Sequence, residues 1–536
     1  MNIRARLQDP EVAHRRRWLT LVVLCVSLFV IVLDNTILNV ALPTLARVKH
    51  EGGLGSSASQ LQWIVDSYTL VFAGLLLTAG SLGDRFGRYR ALAFGLAVFG
   101  TGSVLSAFAG SAGMLIATRS LMGIGGAFIM PSTLSILTNV FTEPQERGKA
   151  IGIWAGCAGL AGLGPVIGGT LLSHFWWGSV FFVNVPIVIA GLVAGFFFVP
   201  DSRDPSAPKL DPIGALLSIV ALGTLLWSVI EAPSHGWTSQ SIVAGFIVGA
   251  LLLAAFFVWE LNTPNPMLDM HFFENPRFSA ASGAIMLTFF AMFGTLFVMT
   301  QYFQLVLGYS TVKAGAVLLP QAAGMMIFAP TSHVLVKRFG NKMVVAGGLF
   351  ILAVCLLGFR ALDTSSSTAD VMFVGFLLSI GMGNIMAPAT DSIMGSLPRA
   401  KAGVGSAMND TTRQVGGAIG VAVIGSLLSS RFTSEMNRLL HGVPSSLVVQ
   451  ARGGIGSALG LVQRDPSAAP YANRIVTAAH TSFVSGMHMA ATVAAIVIVI
   501  AAAGVLAWLP ARARDDEVIV IPTDDPDADL VALAAD

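Results

Sequence analysis

Five ionisable residues fall inside otherwise apolar runs of this chain, and their types and spacing are what can do chemistry. Asp34 sits in FVIVLDNTILNVALP (29–43), directly before Asn35 and Thr36. Asp66 lies in QLQWIVDSYTL, three residues after Trp63, and Arg119 opens RSLMGIGGA. Asp410 and Arg413 stand three apart in NDTTRQ. A charge at mid-membrane depth costs about 2.5–3.5 kcal/mol even on lenient insertion scales, so each marks either function or pairing. Desolvation favours a protonated carboxyl, whereas a nearby guanidinium favours the ionised form. A site that alternates between the two surroundings loads and unloads protons near neutral pH. A buried carboxylate can equally take the positive charge of a solute. The plainer alternative for each residue is a permanently paired or capping group. Asp391, near the end of another apolar run, is a sixth candidate.

The elements that hold these residues must be membrane helices. Of 536 residues, 54% are hydrophobic and only 11% charged, with a mean hydropathy of +0.75. Soluble domains carry about 25% charge. Fourteen apolar runs are long enough to span a bilayer. They cover about 18–43, 60–81, 91–110, 112–138, 148–172, 180–199, 212–231, 241–260, 278–303, 312–335, 342–361, 369–394, 402–428 and 481–508. The predicted class is therefore an all-α integral membrane protein. The N-terminus MNIRARLQDPEVAHRRRW has no small-residue cleavage site and reads as a tail, not a signal peptide. Cys25, Cys157 and Cys355 all lie in apolar runs without CxxC spacing, so neither a disulfide framework nor a metal site is expected. No phosphate loop, nucleophile elbow or metal-ligand cluster is found, so no cofactor, nucleic acid or enzymatic activity is expected.

With an even number of spans both termini share one side. Placing them in the cytoplasm puts twenty Lys and Arg on that side and nine on the other, as the positive-inside rule requires. At about 1.5 Å per residue, Asp34 then lies roughly 24 Å from the inner edge, and Asp66 and Arg119 lie roughly 9 Å from the outer edge. These three groups share a level and are expected to share a cavity. Asp410 lies roughly 12 Å from the inner edge, with Arg413 one turn on. Trp63 and the methionines Met382, Met386, Met394 and Met408 are candidates for a pliable pocket lining, against the commoner role of packing. The external segment 431–478, rich in Gly, Ser, Ala and Pro, is expected to be partly ordered at best, and the acidic tail after Arg514 disordered.

Residues 80–90 read GSLGDRFGRYR and residues 333–343 read HVLVKRFGNKM. The shared Leu and Arg-Phe-Gly recur after spans 2 and 10, which suggests two repeated halves with a site between them. The expected division is a tail at 1–17, a six-helix bundle at 18–200, a linker and two inserted helices at 201–276, a second bundle at 277–508 and a tail at 509–536. In the first copy, Gly80, Gly83 and Gly87 permit a tight turn, and Asp84 can accept hydrogen bonds from a nearby helix N-terminus or from an Arg in the other half, holding the inner face closed. Lys337 replaces that aspartate in the second copy, so such a gate would be one-sided.

The first copy closely resembles the loop signature of the major facilitator superfamily, with Gly80, Leu82, Asp84, Arg85, Gly87, Arg88 and Arg90 all matching. Arg119, Gly123, Gly125 and Ala127 resemble its span 4 motif. GLGPVIGG, with Gly164, Pro165, Gly168 and Gly169, is similar to the motif associated with exporters. The opening stretch around Asp34, QLQWIVDSYTL and FFVNVPI resemble the fourteen-span drug:proton antiporters. The resemblance covers essentially 18–508 and implies that fold, with two six-helix bundles plus two inserted helices. It also implies proton-driven export of amphipathic, often cationic, small molecules by alternating access. The expected setting is a bacterial cytoplasmic membrane, with lipids and protons as further partners and a monomeric state. One proton moving down 100 mV releases about 2.3 kcal/mol, enough for roughly a fiftyfold solute gradient without ATP. A dedicated exporter of a lipid or secreted metabolite, or a membrane sensor that does not transport, are the alternatives.

Overall fold

The computed structural model describes residues 10–46, 53–56, 58–204, 210–236 and 238–511. Those residues are overwhelmingly α-helical, with no strand among them. Inside a bilayer no water can take up an unpaired backbone amide, so apolar runs of this length close their hydrogen bonds within themselves. In chain order the helices are α1 (Pro10–Ala46), α2 (Ala58–Phe86), α3 (Arg88–Ala107), α4 (Ala112–Val140), α5 (Pro144–Gly156), α6 (Leu163–His174) and α7 (Asn184–Phe198). There follow α8 (Pro212–His235), α9 (Gln240–Asn262), α10 (Pro276–Gln301), α11 (Leu319–Phe339), α12 (Asn341–Gly358) and α13 (Thr368–Gly395). The last four are α14 (Ala402–Leu439), α15 (Ser445–Ala451), α16 (Ile455–Arg464) and α17 (Ala472–Trp508). Side-chain caps mark several starts: Ser111 accepts from Met114 N, Asp211 from Gly214 N, and Ser367 forms a capping box with Asp370.

Thirteen helices among the described residues are long and apolar enough to cross a membrane. The expected fifth span is not one of them, because it is not one helix. α5 gives way to a 3-10 turn at Cys157–Gly162, and only then does α6 begin. The sequence CAGLAGLGP explains the break: three glycines weaken the helix, and Pro165 offers no amide to the carbonyl four residues back.

α2 and α3 pack on α4, and α1 packs on α6 and α7; in the second half α10 pairs with α14, and α13 with both α11 and α12. α8 and α9 form a hairpin that buries only 33% and 22% of its apolar windows, against 78% for α4. That hairpin is peripheral, with most of its apolar surface left uncovered by the rest of the chain. Contacts between the halves run α2 and α4 against α14, and α5 against α11 and α13.

The segment 431–478 departs from expectation. α14 continues as helix to Leu439, α15 and α16 follow, and α17 begins at Ala472. α16 buries Ile455, Ala458 and Leu461, one per turn, and packs on α17. That three-residue spacing was hidden in a composition that looked like loop. The acidic tail beyond 511 lies outside the described residues, as do residues 205–209 of the expected linker.

Candidate functional site

Asp34 and Arg119 meet. α1 and α4 present them at one level, both essentially fully buried, and their side chains form an ion pair. Asn184, at the start of α7, donates to Asp34 Oδ1 at 3.1 Å and to Ser103 Oγ at 3.1 Å. Arg119 Nε donates to the Ile64 carbonyl at 3.1 Å, and its guanidinium lies 4.5 Å from the Tyr68 ring centre. Four helices therefore converge on one salt bridge. A buried pair persists in low dielectric only when its remaining donors and acceptors are also met, and here they are.

Asp410 and Arg413 form the second pair, on α14. Their charged atoms are 3.6 Å apart, one helical turn on. Asn409 Nδ2 donates to Asp410 Oδ1 at 3.3 Å, and an Arg413 terminal nitrogen donates to Thr390 Oγ1 at 3.0 Å. Asp410 Oδ2 and Arg413 Nε are buried with no hydrogen-bond partner. The guanidinium sits between two rings, 5.3 Å from Trp154 of α5 and 5.4 Å from Phe289 of α10.

Asp66 does not join Asp34 and Arg119. It is half-buried, hydrogen-bonded by Gln62 one turn back and faced by Glu231 of α8. Depth along a helix was readable from sequence; rotation about its axis was not. Trp63 and Met408 are half-buried, whereas Met382, Met386 and Met394 are in the packed core, at 4%, 3% and 5% exposure. Those three methionines fill space between helices and offer little surface to a solute.

At the end of the bundle rich in arginine, the halves are laced together. Asp84 accepts from Gly403 N at 2.9 Å and Val404 N at 3.0 Å, the first amides of α14, where the helix dipole favours a negative charge. Arg88 forks onto Asp84 at 2.7–2.8 Å and donates to the carbonyls of Arg399 and Ala400 at 2.8 Å. Gly80 lies directly against Gly403: a Cβ there would be 2.6 Å from its carbonyl oxygen. Gly87 turns the chain with φ 115°, and Arg88 N donates to the Ser202 carbonyl. Arg85 projects onto its neighbour Phe86. Two further ion pairs cross between the halves or join the segment linking them, Arg147–Asp391 at 2.9 Å and Lys401–Asp204 at 3.3 Å. Beside them Arg17 grips Glu146 at 2.8 Å, which holds that carboxyl below its ordinary range. At the far end the halves touch through small and apolar groups instead, with Pro165 against Gly315 and Gly162 against Leu319.

Gly164 and Gly168 sit against Thr36 and Ile37 of α1, bringing α6 close to the helix that carries Asp34, while Gly169 is half-buried. Two residues escaped the sequence reading. Asn184 stood in FFVNVPI, a lone amide opening an apolar run. Trp154 stood in an apolar run like any packing residue, and its role depends on which helix lies opposite.

The family model described as Major Facilitator Superfamily matches residues 24–421. The chain is 38% identical over 493 residues to the multidrug efflux pump LfrA of Mycolicibacterium smegmatis, covering 91% of this chain and 95% of that one. It is 34% identical over 512 residues to the tetracenomycin C resistance and export protein of Streptomyces glaucescens, covering 94% and 93%. The methyl viologen resistance protein SmvA of Salmonella typhimurium is 34% identical over 490 residues, covering 91% and 97%. Among solved structures, the human organic anion transporter MFSD10 superposes with a TM-score of 0.58 at 14% identity, over 91% of this chain and 99% of that one. The proton:xylose symporter XylE gives 0.58 at 14%, over 94% and 98%. Those two likenesses speak to the fold alone.

Proposed function

Because the chain belongs to the major facilitator superfamily, we propose that it is a proton-coupled antiporter exporting amphipathic, often cationic, compounds across the cytoplasmic membrane by alternating access. The observation that carries this reading is that each half buries one carboxylate against one arginine, Asp34 with Arg119 and Asp410 with Arg413. A carboxylate held by a buried cation exchanges it for a proton or for a solute's positive charge, and the two exchanges exclude each other. The curated relatives support the substrate class: their names specify multidrug efflux, tetracenomycin export and methyl viologen resistance, and methyl viologen is a dication.

The rest of the reading follows from this. The moving bodies are the bundles at 18–200 and 277–508, with 201–276 inserted. The arginine-rich end faces the cytoplasm, with both termini, in a bacterial cytoplasmic membrane. The Asp84–Arg88 lacing is then the inner gate, drawn closed here, and Asp391 belongs to it through Arg147. Gly164, Pro165, Gly168 and Gly169 let the broken fifth span flex as the halves rock. Asp66, facing Glu231 at the outer level, offers a second acidic surface to a departing cation. Trp63 and Met408 line the path. The working unit is a monomer in contact with lipid, and no cofactor or nucleic acid takes part.

The test is proton release from purified protein on adding a cationic dye such as ethidium. Wild type releases protons; Asp34→Asn and Asp410→Asn do not. Full release and export by both variants would sink the proposal.

A further inference from the structure

Arg413 is the place where the C-terminal pair touches the N-terminal half. Its guanidinium lies 5.3 Å from the ring of Trp154, which is 1% exposed and belongs to α5 across the interface. Trp154 is fixed from its own half, since its indole nitrogen donates to Thr133 Oγ1 on α4 at 3.2 Å. The Arg413 head is thus shared between a carboxylate on its own helix and an aromatic face on the opposite half. Neither contact saturates it, because Nε has no partner and the Asp410 Oδ2 is likewise free.

We propose that Trp154 is the positioning residue through which the charge state of Asp410 sets how firmly the two halves hold together. The inference rests on reading Asp410 as a proton carrier. With Asp410 ionised, the guanidinium's charge is met within α14 and the pull of the indole matters less. With Asp410 protonated, the nearest counter-charge vanishes, and the ring faces of Trp154 and Phe289 become what stabilises a buried cation. Protonation therefore tightens the contact between the halves near the inner gate. By reciprocity, the state with that end closed binds the proton more tightly than the state with it open. An exporter needs this order, taking protons up from outside and giving them up inside.

Other charged groups on the elements around α14 are engaged elsewhere. Asp84 is held by Arg88, Arg119 by Asp34, Asp391 by Arg147 and Glu231 by His235. Arg277 donates to the Gly395 carbonyl, and His488 bonds the Leu362 carbonyl. Among the described residues, Arg413 is the charged group within ion-pair distance of Asp410, beside the amide of Asn409.

Spin labels at Glu143→Cys and Arg338→Cys, exposed sites on opposite halves at the inner end, follow gate opening against pH in protein lacking its native cysteines. Wild type is expected to open as pH rises, and Asp410→Asn to lose that response. Trp154→Leu moves the midpoint down by about one pH unit, a tenfold change in proton binding, while Trp154→Phe keeps it within about threefold of wild type. Tetrafluoro-tryptophan at position 154 keeps the shape and hollows out the π face. It shifts the midpoint the same way with an unchanged Tm, so a poorly folding leucine variant does not decide the matter. An unmoved midpoint in the fluorinated protein, or a pH response that survives Asp410→Asn, overturns the proposal. If ethidium elicits no proton release from wild type, the antiporter reading fails on its own account. If ethidium does elicit release and the fluorinated midpoint stays put, only the role of Trp154 falls.

Discussion

In the N-terminal half the aspartate and arginine come from different helices, and no atom of either is among the buried atoms left without a partner. In the C-terminal half both come from α14, stand 3.6 Å apart and leave two polar atoms unmet. The first pair ties α1, α2, α4 and α7 into one body; the second reaches other helices only through Trp154, Phe289 and Thr390. A saturated buried pair is costly to disturb and serves rigidity as well as exchange. An unsaturated one is already part-way between its charge states, which suits a switch. The same two residue types have thus been given a stiff setting and a soft one.

That contrast sets a graded series of outcomes. Asp34→Asn has the largest effect. It strands Arg119 as a buried cation, costs about 3–5 kcal/mol of stability and abolishes export; thermal unfolding in detergent and dye export measure the two. Adding Arg119→Gln restores much of the stability and none of the export, and a double variant no more stable than Asp34→Asn would mean that the pair is not what holds α1 to α4. Asp84→Ala comes next. Losing two amide donors and the Arg88 fork lets the inner end open, and export is expected to fall about tenfold; labelling of a cysteine placed at Ala407 reports the opening. Asp410→Asn is expected to cost less stability than Asp34→Asn, since the pair it breaks is wider, at 3.6 Å, and already leaves two polar atoms unmet, yet proton release is lost. Equal unfolding costs for Asp34→Asn and Asp410→Asn would erase the distinction drawn between the pairs. The smallest effect belongs to the surface pair, Arg17–Glu146. Arg17 holds the Glu146 carboxyl below its ordinary value of 4.5, so its contribution is complete above that value and disappears as pH falls through the depressed one. Glu146→Gln should lower Tm by about a degree at neutral pH, and the two Tm curves should merge in acid.

Much of this arrangement could be read from the residues. Apolar run length located thirteen of the spans, and depth counting placed Asp34 and Arg119 at one level, where they meet. For Asp84 a helix N-terminus or an Arg of the other half were both open from sequence; the partners found are the α14 amides and Arg88 of its own half. What sequence withheld was rotational and local. Depth says nothing of azimuth, so Asp66 was grouped with a pair that it turns away from. Composition masked the one-per-turn burial of α16. The break in the fifth span lay in plain view as glycines around Pro165, but an apolar run counted by length alone looks continuous.

The lacing at the arginine-rich end has a consequence for how this protein can change over generations. On the C-terminal side its contacts to Asp84 and Arg88 are main-chain atoms: the amides of Gly403 and Val404 and the carbonyls of Arg399 and Ala400. The contacts to Asp84 and Arg88 therefore do not depend on which side chain stands at 400, whereas Arg399 adds a side-chain bond to the Thr142 carbonyl. Gly403 is constrained, because a Cβ there would press on Asp84 and on the backbone of Gly80. The Asp84 and Arg88 contacts are thus carried on that side by atoms that every residue type supplies, so they survive sequence drift that would erase an ion pair between side chains.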